Sequence, residues 1–291
     1  MFRGVFTALV TPFKHGKVDE KGLERLIEFQ IKKGIHGLVP CGTTGESPTL
    51  SYAEHERVIA LTVEIANKRI PVLAGTGSNS TDEAIYLSKF AEKIGCEGVL
   101  LVAPYYNRPT QAGLLAHFKK IAHAISIPIV LYNIPGRTGV NMLPSTVIEL
   151  GKDKQFWGIK EASGNINQSL EIMNESDLVV VSGDDSLTLP LMSVGAAGVI
   201  SVASNIVPDR IVQLINYVRK GDFDKAKKLN LELFPLFRDL FIETNPTPVK
   251  AAMAMLDMIE ENVRLPLTAL TKKNRLLIRN LLKKLKISKA G

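Results

Sequence analysis

A chain of 291 residues is long for one ordinary domain and short for two, a size at which α/β barrels stand as single units. With 45% hydrophobic and 22% charged residues and a mean hydropathy of +0.10, it falls outside the disordered, collagen-like and membrane-spanning classes. The formal net charge of +7 leaves nucleic acid, acidic membranes and small anions open as partners, while two cysteines, Cys41 and Cys96, make no disulfide framework and fit a reducing, cytoplasmic setting.

The apolar run from Val5 to Thr11 carries no small-residue cleavage signal and predicts a first strand. Further strands are predicted over Gly37 to Pro40, Pro71 to Ala74, Gly98 to Ala103, Pro128 to Tyr132, Phe156 to Lys160, Leu178 to Ser182 and Gly198 to Val202. Helical spacing fills the intervals, as over Asp19 to Lys33, Tyr52 to Asn67, Thr81 to Ile94 and Gln111 to Ile125. No apolar stretch reaches the roughly 18 residues of a spanning helix. Eight βα units by about residue 207 predict an α/β fold closed as a (β/α)8 TIM barrel.

After Pro208 the strand signals stop, and Asp209 to Arg219, Phe223 to Glu243, Pro246 to Ile259 and Thr271 to Leu285 read as helices. The expected division is a catalytic barrel over residues 1–222 and a C-terminal helical subdomain over 223–291. Lys272, Lys273, Arg275, Arg279, Lys283, Lys284, Lys286 and Lys289 carry the whole positive excess, with no acid among them. Leu277, Ile278, Leu281, Leu282 and Leu285 give this terminal helix an apolar face, so it is expected to dock with its lysines in water. Neither nucleic acid nor membrane is then an expected partner.

In such a barrel the site lies at the carboxyl ends of the strands. Lys160 leaves an apolar strand at that rim. Two readings are open: a desolvated amine that attacks a carbonyl and forms a Schiff base, or a lysine paired with the neighbouring Glu161. Tyr132 and Tyr106 also follow strands. With Thr44 they could relay protons to an imine, or simply cap the core with hydroxyls in water. The Gly42-Thr43-Thr44-Gly45 turn exposes successive N–H groups suited to a carboxylate or phosphate, although many such turns bind nothing. Arg137 is a bidentate carboxylate anchor if it faces the mouth, and a solvated loop residue if it does not.

Asp184 and Asp185 are read as helix caps. Cys41 has no base partner and reads as a small packed residue. Gly75-Thr76-Gly77 has Ser80 where a dinucleotide fingerprint needs its third glycine. The histidines His15, His36, His55, His117 and His123 are scattered without metal-ligand spacing, and no nucleophile elbow or phosphate loop occurs. No metal or other cofactor is expected.

With Gly42-Thr43-Thr44-Gly45-Glu46, Pro104-Tyr105-Tyr106-Asn107, Tyr132-Asn133-Ile134-Pro135-Gly136-Arg137-Thr138-Gly139, Gly158-Ile159-Lys160-Glu161-Ala162, Ser182-Gly183-Asp184-Asp185 and Asn245-Pro246-Thr247-Pro248-Val249-Lys250 in order, the chain resembles the dihydrodipicolinate synthase family over essentially its whole length. The resemblance implies a barrel with a helical C-terminal subdomain, a homotetramer built as a dimer of dimers, and a lyase of lysine biosynthesis by the diaminopimelate route. That enzyme condenses pyruvate with L-aspartate 4-semialdehyde. By the same resemblance Lys160 is the Schiff-base lysine and Tyr132, Thr44 and Tyr106 form the proton relay, Tyr106 coming from a neighbouring subunit. Thr43 and Thr44 hold the pyruvate carboxylate, the backbone at Gly183 and Ile200 lines the pocket, and Arg137 anchors the semialdehyde.

Sister enzymes, N-acetylneuraminate lyase and the 2-keto-3-deoxy sugar acid aldolases, share the lysine, the tyrosine and the glycine turn. Arg137 favours the semialdehyde, because a carboxylate beside the aldehyde needs a cation where a sugar chain would want hydroxyl and amide partners. The resemblance also raises L-lysine as an effector. Its pocket would be built from Ser47, Pro48, Tyr52, His55, Asn79, Glu83 and Tyr105, with Pro48 and Tyr52 departing from the enteric pattern.

Overall fold

The computed structural model describes residues 2–288. β1 (Gly4–Ala8) reads Gly-Val-Phe-Thr-Ala and is buried throughout, as a strand covered on both faces of a parallel sheet must be. A small antiparallel hairpin follows, β2 (Phe13–Lys14) with β3 (Lys17–Val18), which periodicity does not predict because each strand has only two residues. The remaining strands are β4 (Gly37–Val39), β5 (Leu73–Gly75), β6 (Gly98–Val102), β7 (Ile129–Asn133), β8 (Phe156–Glu161), β9 (Val179–Ser182) and β10 (Gly198–Ser201). They pair in parallel in the order β4-β1-β10-β9-β8-β7-β6-β5, and a bridge between Leu38 and Val72 closes the ring. This is the expected TIM barrel. β1 stops short of Thr11 because the Val10 N–H donates to the Asn205 side chain at 3.2 Å instead of continuing the ladder.

Alternation along the strands sorts side chains into two cores. Phe6, Ala8, Val39, Leu73, Leu100, Val130, Tyr132, Val181 and Ile200 form the barrel interior with Phe2. Gly37 leaves room for the Phe6 ring, which a β-carbon there would strike. The alternate residues, such as Val5, Leu38, Val99, Leu101 and Leu131, pack outward against the helices. Each fully buried leucine or isoleucine in that shell contributes about 2 kcal/mol.

The surrounding helices begin where capping residues predict them. Ser51 and Glu54 close a capping box on Tyr52–Ala66, and Asp19, Ser80 and Thr110 cap Glu20–Lys32, Thr81–Lys93 and Gln111–Ala122. Pro208–Arg219 completes the ring. Three further helices lie beyond it: Phe223–Asp239, Thr247–Met255 and Lys272–Lys284. The first two end earlier than the sequence predicts. After Asp239 the chain turns toward the barrel mouth, and Asp257 adopts a left-handed conformation (φ 57°) that no helix continues through. The basic helix buries Ile278, Leu281 and Leu282 against the other two. Lys289 lies outside the described residues. Among the described residues, no helix is long and apolar enough to cross a membrane.

Candidate active site

The register between β7 and β8 pairs Tyr132 with Lys160 and Asn133 with Glu161. Because successive strand residues face opposite ways, Tyr132 and Lys160 point into the barrel and their neighbours point out. Lys160 is 6% exposed, and its Nζ stands 4.1 Å from the centroid of the Tyr132 ring. Glu161 is occupied on the other face, where its carboxylate accepts from Gln168 Nε2 at 3.0 Å, the Ser163 N–H at 2.7 Å and Asn133 Nδ2 at 3.2 Å. Of the two readings left open at Lys160, the ion pair with Glu161 is therefore absent, and Lys160 forms no salt bridge among the described residues. Gly183, directly after β9, gives the lysine its lane: a β-carbon there would stand 3.0 Å from Lys160 Cε and 2.6 Å from the Ala162 β-carbon.

The glycine turn sits beside this pair. Cys41 and Glu46 bracket it in left-handed conformations (φ 56° and 55°), and the Gly45 and Glu46 N–H groups donate to the Gly42 and Thr43 carbonyls. Thr43, Tyr132 and Arg137 line a cavity of about 210 Å³ at the mouth. Thr44 is buried, and its Oγ1 accepts from Asn245 Nδ2 at 3.0 Å, so the hydroxyl proton is free to point at another acceptor. Arg137 extends from the one-turn helix Pro135–Thr138 and donates through Nη2 to the Asn245 carbonyl at 3.3 Å. Ile200, at the end of β10, packs in the same interior cluster as Tyr132.

Tyr106 is not brought to the cavity by its own chain. It is 89% exposed on a left-handed backbone (φ 73°). The residues considered for an effector do gather at the rim. Ser47, Pro48 and Tyr105 line the same cavity as Thr43, and Asn79 Nδ2 donates to the Tyr105 carbonyl at 3.2 Å. Glu83 accepts from Ser78 Oγ, and its hydrogen bond raises the Tyr52 phenol above its ordinary range. His55 is buried, with Nε2 2.8 Å from the Gly75 carbonyl; desolvation pulls its imidazole down, against that hydrogen bond.

The aspartates differ from their joint reading as caps. Asp184 does cap, accepting from the Ser186 N–H at 2.9 Å. Asp185 instead turns inward, where its Oδ2 accepts from the Val202 and Ala203 N–H groups at 3.0 and 2.9 Å and ties β9 to β10. Desolvation pushes its carboxyl up to about 6. Cys41 is packed and buried, and burial raises its thiol well above the ordinary range. Asn245 had no assigned task. Its link to Thr44 spans 201 residues, a separation no local pattern reveals.

A closed parallel barrel with a buried lysine, a tyrosine and a glycine-threonine turn gathered at its carboxyl rim has the architecture of a (β/α)8 enzyme. A model of the dihydrodipicolinate synthetase family matches residues 1–285, and the chain belongs to that family. It is 55% identical over 285 residues to the 4-hydroxy-tetrahydrodipicolinate synthase of Endomicrobium trichonymphae, covering 97% of this chain and 98% of that one. The crystal structure of dihydrodipicolinate synthase from Aquifex aeolicus superposes with a TM-score of 0.98 at 46% identity, covering 100% of both chains. The enzyme from Cyanidioschyzon merolae with lysine bound superposes with a TM-score of 0.96 at 41% identity, covering 98% of this chain and 99% of that one.

Proposed function

We propose that this chain, a 4-hydroxy-tetrahydrodipicolinate synthase that condenses pyruvate with L-aspartate 4-semialdehyde, works through an imine on Lys160. The observation that carries the mechanism is a buried amine packed over the Tyr132 ring with no carboxylate on it. Unprotonated, Lys160 Nζ attacks C2 of pyruvate, and protons delivered to the carbinolamine oxygen expel it as water. Loss of a C3 proton from the imine gives an enamine, whose C3 adds to the semialdehyde aldehyde carbon. The semialdehyde amine then attacks the imine carbon, closes the ring and returns Lys160 as the free amine.

Tyr132 and Thr44 move these protons, and the Thr44 hydroxyl is oriented for it by accepting from Asn245. Thr43 and Thr44 receive the pyruvate carboxylate, with Gly183 and Ile200 forming the wall behind it. Arg137 holds the semialdehyde carboxylate. Tyr106 serves a neighbouring subunit, which accounts for its exposure and requires a dimer; two such dimers make the tetramer. L-Lysine acts as effector in the pocket of Ser47, His55, Asn79, Glu83 and Tyr105, a reading supported by the lysine-bound relative.

Reduction with borohydride in the presence of pyruvate should place the mass addition on the Lys160 peptide, and turnover should require the semialdehyde. An unmodified Lys160 would overturn the mechanism; turnover of sialic acid alone would favour the sugar acid lyases. Arg137→Ala should raise the semialdehyde KM about tenfold, the loss of one charge-assisted contact, with pyruvate trapping intact. Millimolar lysine should depress the rate and release heat in calorimetry.

A further inference from the structure

The segment that places Asn245 on Thr44 reaches the glycine turn at a second point. Glu46, directly after that turn, is 2% exposed and both its oxygens are engaged. Oε1 accepts from Lys250 Nζ at 2.5 Å, and Oε2 accepts from the Arg264 N–H at 3.0 Å. Lys250, in the helix Thr247–Met255, is 0% exposed. Its Nζ lies 4.2 Å from the centroid of the Phe13 ring, against which the Arg264 guanidinium also packs at 4.3 Å. That guanidinium forks onto Glu54, so the clamp is itself held.

A buried ion pair is a poor device for stability alone. Both ions lose their hydration, and an apolar pair of similar volume holds two elements together as well or better. The cost is visible at Lys250, where desolvation draws the amine down to about 8 despite the attraction of Glu46. What the pair supplies and an apolar contact cannot is direction. Glu46 sits in a left-handed conformation that only a restraint holds. Rotation there would carry Thr43 and Thr44 with it, since the Glu46 N–H is bonded to the Thr43 carbonyl.

We propose that Lys250 is a positioning residue for the pyruvate half of the reaction: by clamping Glu46 it sets the Thr43-Thr44 turn in the place that receives the pyruvate carboxylate. This rests on the assignment of those threonines to pyruvate. Arg137 stands on another element, the helix Pro135–Thr138, and meets this segment only through the Asn245 carbonyl at 3.3 Å, which the Lys250 side chain does not hold, so the semialdehyde half should be far less sensitive.

Two variants test it, Lys250→Met and the charge-free pair Glu46→Gln/Lys250→Met, in which the amide oxygen still accepts from Arg264. Lys250→Met strands a buried carboxylate and should lose thermal stability, which the double variant recovers. In both, the pyruvate KM should rise at least tenfold, the semialdehyde KM should stay within twofold, and saturating pyruvate should still be trapped on Lys160. A double variant with an unchanged pyruvate KM overturns the proposal, and so does one that fails to fold, because the pair would then serve folding alone. Failure of the unsubstituted enzyme to trap pyruvate is a separate result, which overturns the reading of the site beneath it.

Discussion

Lys160 and Lys250 are both buried lysines packed over an aromatic ring, and they are treated in opposite ways. Lys250 is given a carboxylate at 2.5 Å and an aromatic face at 4.2 Å, a setting in which the amine is tied to an acid and shut away from any substrate. Lys160 is given only the aromatic face, at 4.1 Å, although a glutamate follows it in the chain. The strand's two-residue period takes that glutamate away and gives it three other residues as donors. What separates the lysine proposed to form the imine from the clamped one is the direction of the nearest acid, and burial is common to both.

Substitutions can break or sharpen that contrast. The largest effect is expected at the lysine proposed as nucleophile: Lys160→Met should lower kcat by about 10⁴–10⁶-fold, the scale of removing a covalent nucleophile, and abolish borohydride trapping. Residual trapping elsewhere in the chain would show that the contrast was drawn on the wrong lysine. Gly183→Ala should force Ala162 and the Lys160 stem apart at a cost of about 1–3 kcal/mol, read as a slower approach to the imine in single-turnover experiments. Normal imine formation would mean that the lane beside Lys160 is wider than it looks.

Glu161→Gln sets an amide against three donors and should lower stability by about 1–3 kcal/mol in thermal denaturation. Because the acid faces away, trapping on Lys160 should be unchanged; a large loss would restore the ion-pair reading. The smallest effect concerns the clamp around Lys250. Hydrogen bonding from Arg264 holds Glu54 down at about 2, against its ordinary 4.5. A carboxyl depressed in the folded state contributes stability that is complete above pH 4.5 and is lost as the pH falls toward 2. With partial exposure discounting it, Glu54→Gln should cost about 1 kcal/mol at pH 7 and almost nothing near pH 2. A constant difference across that range would show that the charge is not the cause.

Much of this was legible in the sequence, and the remainder has a common origin. The eight barrel strands show themselves because both faces are buried, so each reads as an unbroken apolar run; β2 and β3 are too short to read at all. Lys160, Tyr132, Thr43, Thr44 and Arg137 come forward because strand ends in a barrel point to one place. Adjacency misleads at Glu161, where the neighbour in sequence is not the neighbour in space. It misleads again at Asp185, which shares a capping motif with Asp184 but spends its carboxylate on β10. Asn245, Lys250 and Arg264 are illegible for a simpler reason. Their partners lie 201, 204 and 218 residues back, and only the closed fold brings them together.

Those three long links also order events in time. All eight barrel strands have been made by Ser201, yet the turn proposed to receive substrate waits on Asn245, Lys250 and Arg264, which leave the ribosome about 40 to 60 residues later. Contacts of such separation form late, since a long loop must close before they return anything. A nascent barrel would therefore carry its lysine through synthesis without the fittings that make it useful. Activity would arrive only as the last links of assembly close, so loss of those links would silence the site even where all eight strands are present.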